Sequence, residues 1–175
     1  MKSRLFIISC SLILIILLFG CSKTDESKES NWEDLVKNVP EIVMNEKEIP
    51  EDILNQIKLP KYSTIPFEVK QVLVTPQTSF SEKGPLLIDI SFIGEEDVLH
   101  VSNLFIKEDR TLAAQETVTL SNGLEAQWDE QGNAKVLSWH DSEDNVVIDL
   151  MIPTPMGEKN DYTIKEFLKM ANSIE

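Results

Sequence analysis

The chain has 175 residues, 30 of them acidic against 16 basic and two histidines, for a formal net charge of −14. Nucleic-acid affinity rests on neutralising phosphates with Lys and Arg, so this balance excludes a nucleic-acid-binding role. It also opposes adhesion to anionic lipid headgroups and other polyanions, and fits either plain solubility or attraction to a partner with a basic surface.

The N-terminus opens with a short basic head, Lys2 and Arg4, followed by a stretch from residue 5 to residue 21 without a charged side chain. A bilayer core of about 30 Å needs roughly 20 apolar residues as a helix. This stretch is shorter, and Ser9, Cys10 and Ser11 dilute its middle, which is the pattern of an export signal and not of a spanning segment. An uncleaved signal anchor is the competing reading. The closing Leu18-Phe19-Gly20-Cys21 resembles the lipobox of bacterial lipoproteins: a branched aliphatic at minus three, a small residue at minus one, then cysteine.

That resemblance implies that residues 1–20 are a signal peptide and that Cys21 becomes the lipid-bearing N-terminus. Cys21 would then attach the protein to the cell membrane on its extracytoplasmic face. One acyl chain gives marginal attachment, whereas the two palmitate-like chains of a diacylglyceryl group hold firmly. The second cysteine, Cys10, would leave with the signal, and lipidation would consume Cys21. Disulfides, thiolate catalysis and cysteine metal sites are thereby excluded. With two basic residues lost, the mature chain would carry 14 basic against 30 acidic residues, a net charge of −16.

Residues 22–30, SKTDESKES, hold no apolar side chain and read as a disordered tether, assigned to 21–31, ahead of a single domain over 32–175. About ten such residues reach roughly 17–19 Å, enough to lift a small domain clear of the headgroups. Asn31 caps a helix in which Trp32, Leu35, Val36 and Val39 form an i, i+3, i+4, i+7 stripe ended by Pro40. A second short helix is predicted over 50–58, with Pro50 in its first turn, Glu51 and Asp52 at the positive end of its dipole, and Ile53, Leu54 and Ile57 on one face.

From residue 67 to residue 152 the hydrophobic period falls from 3.6 to 2. Strands are predicted over 67–74, 86–92, 98–106, 116–120, 124–128, 135–139 and 146–152, separated by turn signals at 121–123, 131–133 and 142–145. After Pro153 and Pro155, Thr163-Ile164-Lys165-Glu166 matches a capping box, and Ile164, Phe167, Leu168, Ala171 and Ile174 form one apolar stripe. The expected fold class is α+β: a curved antiparallel sheet of about six or seven strands, short N-terminal helices, and the C-terminal helix packed on one face.

Candidate chemistry is sparse. His100 falls within one predicted strand and His140 at the end of another, without the spacing of a metal-binding pair. The acidic groups are Glu95-Glu96-Asp97, Asp129-Glu130 and Asp141-Ser142-Glu143-Asp144-Asn145. The last begins like a calcium loop but has Val146 where the sixth-position glycine belongs and Ile152 where a bidentate glutamate belongs, so it is not an EF-hand. No nucleophile elbow, phosphate loop or zinc-protease motif is present. No metal, cofactor or catalytic residue is therefore expected. Trp32, Trp128 and Trp139 are scattered, and the phase of Trp128 and Trp139 makes them core residues, not sugar platforms.

The segments Leu59-Pro60-Lys61-Tyr62, Pro66-Phe67-Glu68-Val69, residues 116–123, Val136-Leu137-Ser138-Trp139 and residues 166–174 come in an order similar to a small uncharacterised C-terminal domain of Firmicutes lipoproteins and anti-sigma-like membrane proteins. The resemblance spans residues 59–175 and implies an extracytoplasmic binding or sensing domain without a catalytic site. A carrier of a hydrophobic ligand is the alternative, followed by an envelope hydrolase using paired carboxylates.

Overall fold

The computed structural model describes residues 31–44, 49, 51–78, 86–106, 116–130, 133–155 and 160–174. The lipobox, Cys21 and the tether up to residue 30 lie outside these residues.

The first helix, α1, runs over Asn31–Asn38, with Glu33 and Asp34 in its first turn and Lys37 in its last, each sign matched to the helix dipole. Leu35 and Val39 are buried, but Val36 is 53% exposed, so the apolar stripe is narrower than its spacing suggests. A short strand β1 (Glu41–Met44) follows, then a single helical turn α2 (Glu51–Leu54) and a 3-10 turn at Tyr62–Thr64. Strands β2 (Gln71–Thr78), β3 (Leu86–Ile93), β4 (Val98–Phe105), β5 (Glu116–Thr119), β6 (Glu125–Asp129), β7 (Ala134–Asp141) and β8 (Val146–Pro153) lead to the final helix α3 (Ile164–Ala171).

The eight strands form one sheet in the order β1-β2-β3-β4-β8-β7-β6-β5. The α+β class holds, with two corrections. The sheet has eight strands, not six or seven, and it is mixed, because β1 pairs with β2 in parallel while every other pair is antiparallel. A parallel pair needs a long crossover and leaves no hairpin signal in the sequence. Here residues 45–70 make that connection, and four residues of strand gave too little alternation to register.

Two further boundaries move for related reasons. The helix expected over 50–58 stops at Leu54 because the chain beyond it docks on the sheet through Asn103. Asn103 has no exposed surface, and its side chain accepts the Lys58 backbone N–H (2.7 Å) and donates to the Lys58 carbonyl (3.1 Å). The strand expected from residue 67 begins at Gln71 because Phe67 and Glu68 pack against Gly94 in the β3–β4 turn. A Cβ on Gly94 would stand 2.9 Å from the Phe67 ring and 3.2 Å from the Glu68 carbonyl, so only glycine admits this approach.

Alternation along paired strands sorts the side chains into two faces. One cross-strand row contains Val74, Ile90, Val101, Leu150, Leu137 and Trp128, all buried. This inner face packs in one core with Leu35 and Val39 of α1, Leu59 and Val69 of the crossover, and Phe167 and Met170 of α3. The Phe167 ring meets Trp128 edge-on at 4.9 Å. Trp128 and Trp139 are core residues, as their phase requires.

Polar clasps hold the cover together. The Asn31 side chain donates to the carbonyls of Leu59 (2.6 Å) and Ser173 (2.9 Å), and Lys61 N–H donates to the Ser173 hydroxyl (2.9 Å). These bonds tie the start of α1, the crossover and the end of α3 to one another. At the other end of α3 the capping box forms: Glu166 accepts the Thr163 backbone N–H at 2.6 Å. Turns fall at 121–123, where Gly123 has φ 89°, and at 142–145, where Asn145 takes φ 53°, a conformation Asn tolerates.

Candidate functional site

The opposite, outer face of the sheet carries no helix among the described residues. Its middle row is Thr75, Asp89, Ser102, Asp149, Ser138, Gln127 and Thr117, read in register from β2 to β5. Every member is hydroxylic, carboxylic or amide, as expected of a sheet face that meets water, and the two aspartates are the members least suited to a strand.

Asp89 sits at the hub of a small network. Its Oδ1 accepts the Ser102 hydroxyl at 2.8 Å, while its Oδ2 lies 3.3 Å from the Ser91 hydroxyl and 3.4 Å from His100 Nδ1. Ser91 Oγ is 3.1 Å from the same Nδ1. Partial burial opposes ionisation of Asp89, but hydrogen bonds from His100 and Ser102, the nearby imidazole charge and the Ser91 hydroxyl outweigh it, and its pKa lies below the ordinary carboxylate value.

Ser, His and Asp in contact invite comparison with a catalytic triad, and the geometry answers it. A triad places the carboxylate on one imidazole nitrogen and the nucleophilic hydroxyl on the other. Here both partners share Nδ1, so the relay order of a triad is not formed. The network orients and ionises Asp89. Its sequence signal was present as Asp89-Ile90-Ser91 and His100-Val101-Ser102, two alternating trios on strands joined by a short turn. Read separately, neither trio suggests a partner.

The other expected candidates do not converge. His100 and His140 lie on β4 and β7 with β8 between them, in rows four residues apart, so strand spacing separates them by roughly 15 Å or more. Among the described residues no three His, Cys, Asp or Glu side chains stand close enough to hold a metal ion. The acidic run 141–145 is a built hairpin turn: Asp141 accepts the Glu143 N–H at 3.1 Å, and Lys58 pairs with Asp144 at 2.5 Å and Asp141 at 3.8 Å. Asp97, in the β3–β4 turn, hydrogen-bonds Tyr162, whose ring also meets Phe67 edge-on at 6.4 Å; burial and then this carboxylate raise the phenol pKa. Both acidic turns therefore have structural partners.

Asp89 and Asp149 are the closest approach to a carboxylate pair on this face. They occupy one row with Ser102 between them, about 9–10 Å apart by strand spacing. Both rise from the same face and do not oppose each other across a gap, and the lowered pKa of Asp89 is opposite to what a general acid needs.

Among the described residues no helix is long and apolar enough to cross a membrane. Comparison with family models, curated proteins and solved structures finds no match for the chain.

Proposed function

We propose that the protein is a non-enzymatic binding or sensing domain, held by lipid on Cys21 at the extracytoplasmic face of a cell membrane, that engages a protein partner through the outer face of its sheet. The supporting observation is the asymmetry of that sheet. One face is filled by the protein's own α1, crossover and α3 side chains. The other presents a polar row across seven strands with no described element over it.

The anchoring half of the reading rests on Leu18-Phe19-Gly20-Cys21 and the uncharged stretch before it. Phe92, Phe167 and Met170 are fully buried between sheet and cover, which favours this reading over the carrier of a hydrophobic ligand. The test of anchoring is direct. Cells producing the Cys21→Ser protein are fractionated beside the wild type, and the N-terminal peptide of the wild type is weighed by mass spectrometry. A diacylglyceryl mass on Cys21, with loss of membrane retention in the variant, is expected; retention of the unlipidated variant would refute the anchor.

A further inference from the structure

We infer that the outer sheet face docks a cationic, amphipathic segment of a partner protein, and that Asp149 is the carboxylate that receives one of its Lys or Arg side chains. The inference deepens the binding-domain reading and rests on it.

The first observation is charge. Strand alternation places Glu41, Asp89, Glu125, Asp129 and Asp149 on the outer face, and no Lys or Arg occupies a strand position there. The nearest strand cation, Lys135, belongs to the inner side, opposite Ile152, and is taken by the Tyr162 carbonyl at 2.7 Å. Five carboxylates on one face of a chain with net charge −14 make a field that draws cations and repels both anionic lipid and a second copy of itself.

The second observation separates the two central aspartates. Asp89 has Ser91, His100 and Ser102 around it. Asp149 stands in the same row, half-buried, between Ser102 and Ser138, and has no hydrogen-bond or ion-pair partner among the described residues. The Ser102 hydroxyl is already committed to Asp89. Aspartate is disfavoured at the centre of a strand, and a local rule broken without internal compensation marks a site kept for something outside the fold.

The third observation is the neighbouring row: Val43, Leu73, Ser91, His100, Met151 and Val136. Leu73 and Val43 are 37% and 42% exposed, two of three large apolar side chains so placed among the described residues. Met151 and Val136 flank Asp149 and supply an apolar bed for the methylene stem of a Lys or Arg whose head reaches the carboxylate. A segment crossing the strands would meet a carboxylate row and an apolar row side by side, which is the complement of a cationic amphipathic chain.

The test uses the full-length protein in nanodiscs of zwitterionic lipid, titrated with a short fluorescent peptide of alternating lysine and leucine and read by anisotropy. Saturable binding that weakens with salt is expected. Asp149→Asn, and independently Ser138→Lys, which supplies a competing cation from the facing position on β7, should each weaken it about tenfold or more. Glu143→Gln removes the same single charge from the exposed 142–145 turn and should change affinity by less than about twofold. Absence of saturable binding, or equal losses in Asp149→Asn and Glu143→Gln, would overturn the inference. A photo-crosslinker at Gln127 in cells separates the two levels. Capture of a partner with no peptide binding defeats the cationic assignment alone, whereas no capture and no binding defeats the binding-domain reading as well.

Discussion

Leu150 and Asp149 are neighbours in β8, yet Leu150 is fully buried in the core while Asp149 stands half-buried between two serines on the other side. The contrast runs along the middle row of the sheet; towards one end the outer face is closed as well, since Val147, between Leu104 and His140, has no exposed surface. On the inner face the buried side chains are answered by groups of the same chain: Phe167 by Trp128, Asn103 by the Lys58 backbone. On the outer face part of the row is answered internally, around Asp89, and part is not. A face that the fold completes by itself is a structural face; the face left polar and acidic at its middle is the one we propose for a partner.

The contrast can be broken at several depths. Phe167→Ala removes a fully buried ring and leaves a cavity beside Trp128, which should cost about 3–5 kcal/mol in urea unfolding. Asn103→Leu keeps the volume but strands the Lys58 N–H and carbonyl under the cover, for an expected loss of about 2–4 kcal/mol by the same measurement. Gly94→Ala drives a methyl group into Phe67 and the Glu68 carbonyl, which should cost about 1–3 kcal/mol and lower the thermal midpoint.

The outer face should respond more weakly, and with a pH signature. The folded pKa of Asp89 is depressed below 3.8, so its ionised form contributes stability that is complete above that value and is lost as pH falls through the folded pKa. Asp89→Asn should therefore cost about 1 kcal/mol near neutrality, and the gap to wild type should close as the pH drops below about 4. A gap that widened in acid would contradict the network around Asp89.

Much of this architecture was legible in the chain. Seven strands and α3 announced themselves because alternation and a capping box are local signals, readable within ten residues. What was hidden is long-range. β1 is four residues long and finds its parallel partner only after the crossover. The end of α2 is set by Asn103, more than forty residues downstream. The site was hidden for the same reason. Alternation tells which residues of one strand share a face, but not which strands lie side by side, and β4 meets β8 across the whole β5–β7 excursion. Only that pairing sets Asp149 beside Ser102 and one strand from Asp89. Two of the three acidic runs conspicuous in the sequence have structural partners, Lys58 and Tyr162.

The division between a structural and a binding face is tested most directly by one variant, Asp149→Thr, titrated with the lysine–leucine peptide at a temperature where it is as folded as the wild type. Thr suits a strand and relieves an unpaired carboxylate, so unfolding stability should hold or rise by up to about 1 kcal/mol. The expected result is peptide affinity lowered about tenfold or more on an equally stable fold. Unchanged affinity on a destabilised fold would place Asp149 among the structural residues and contradict the division.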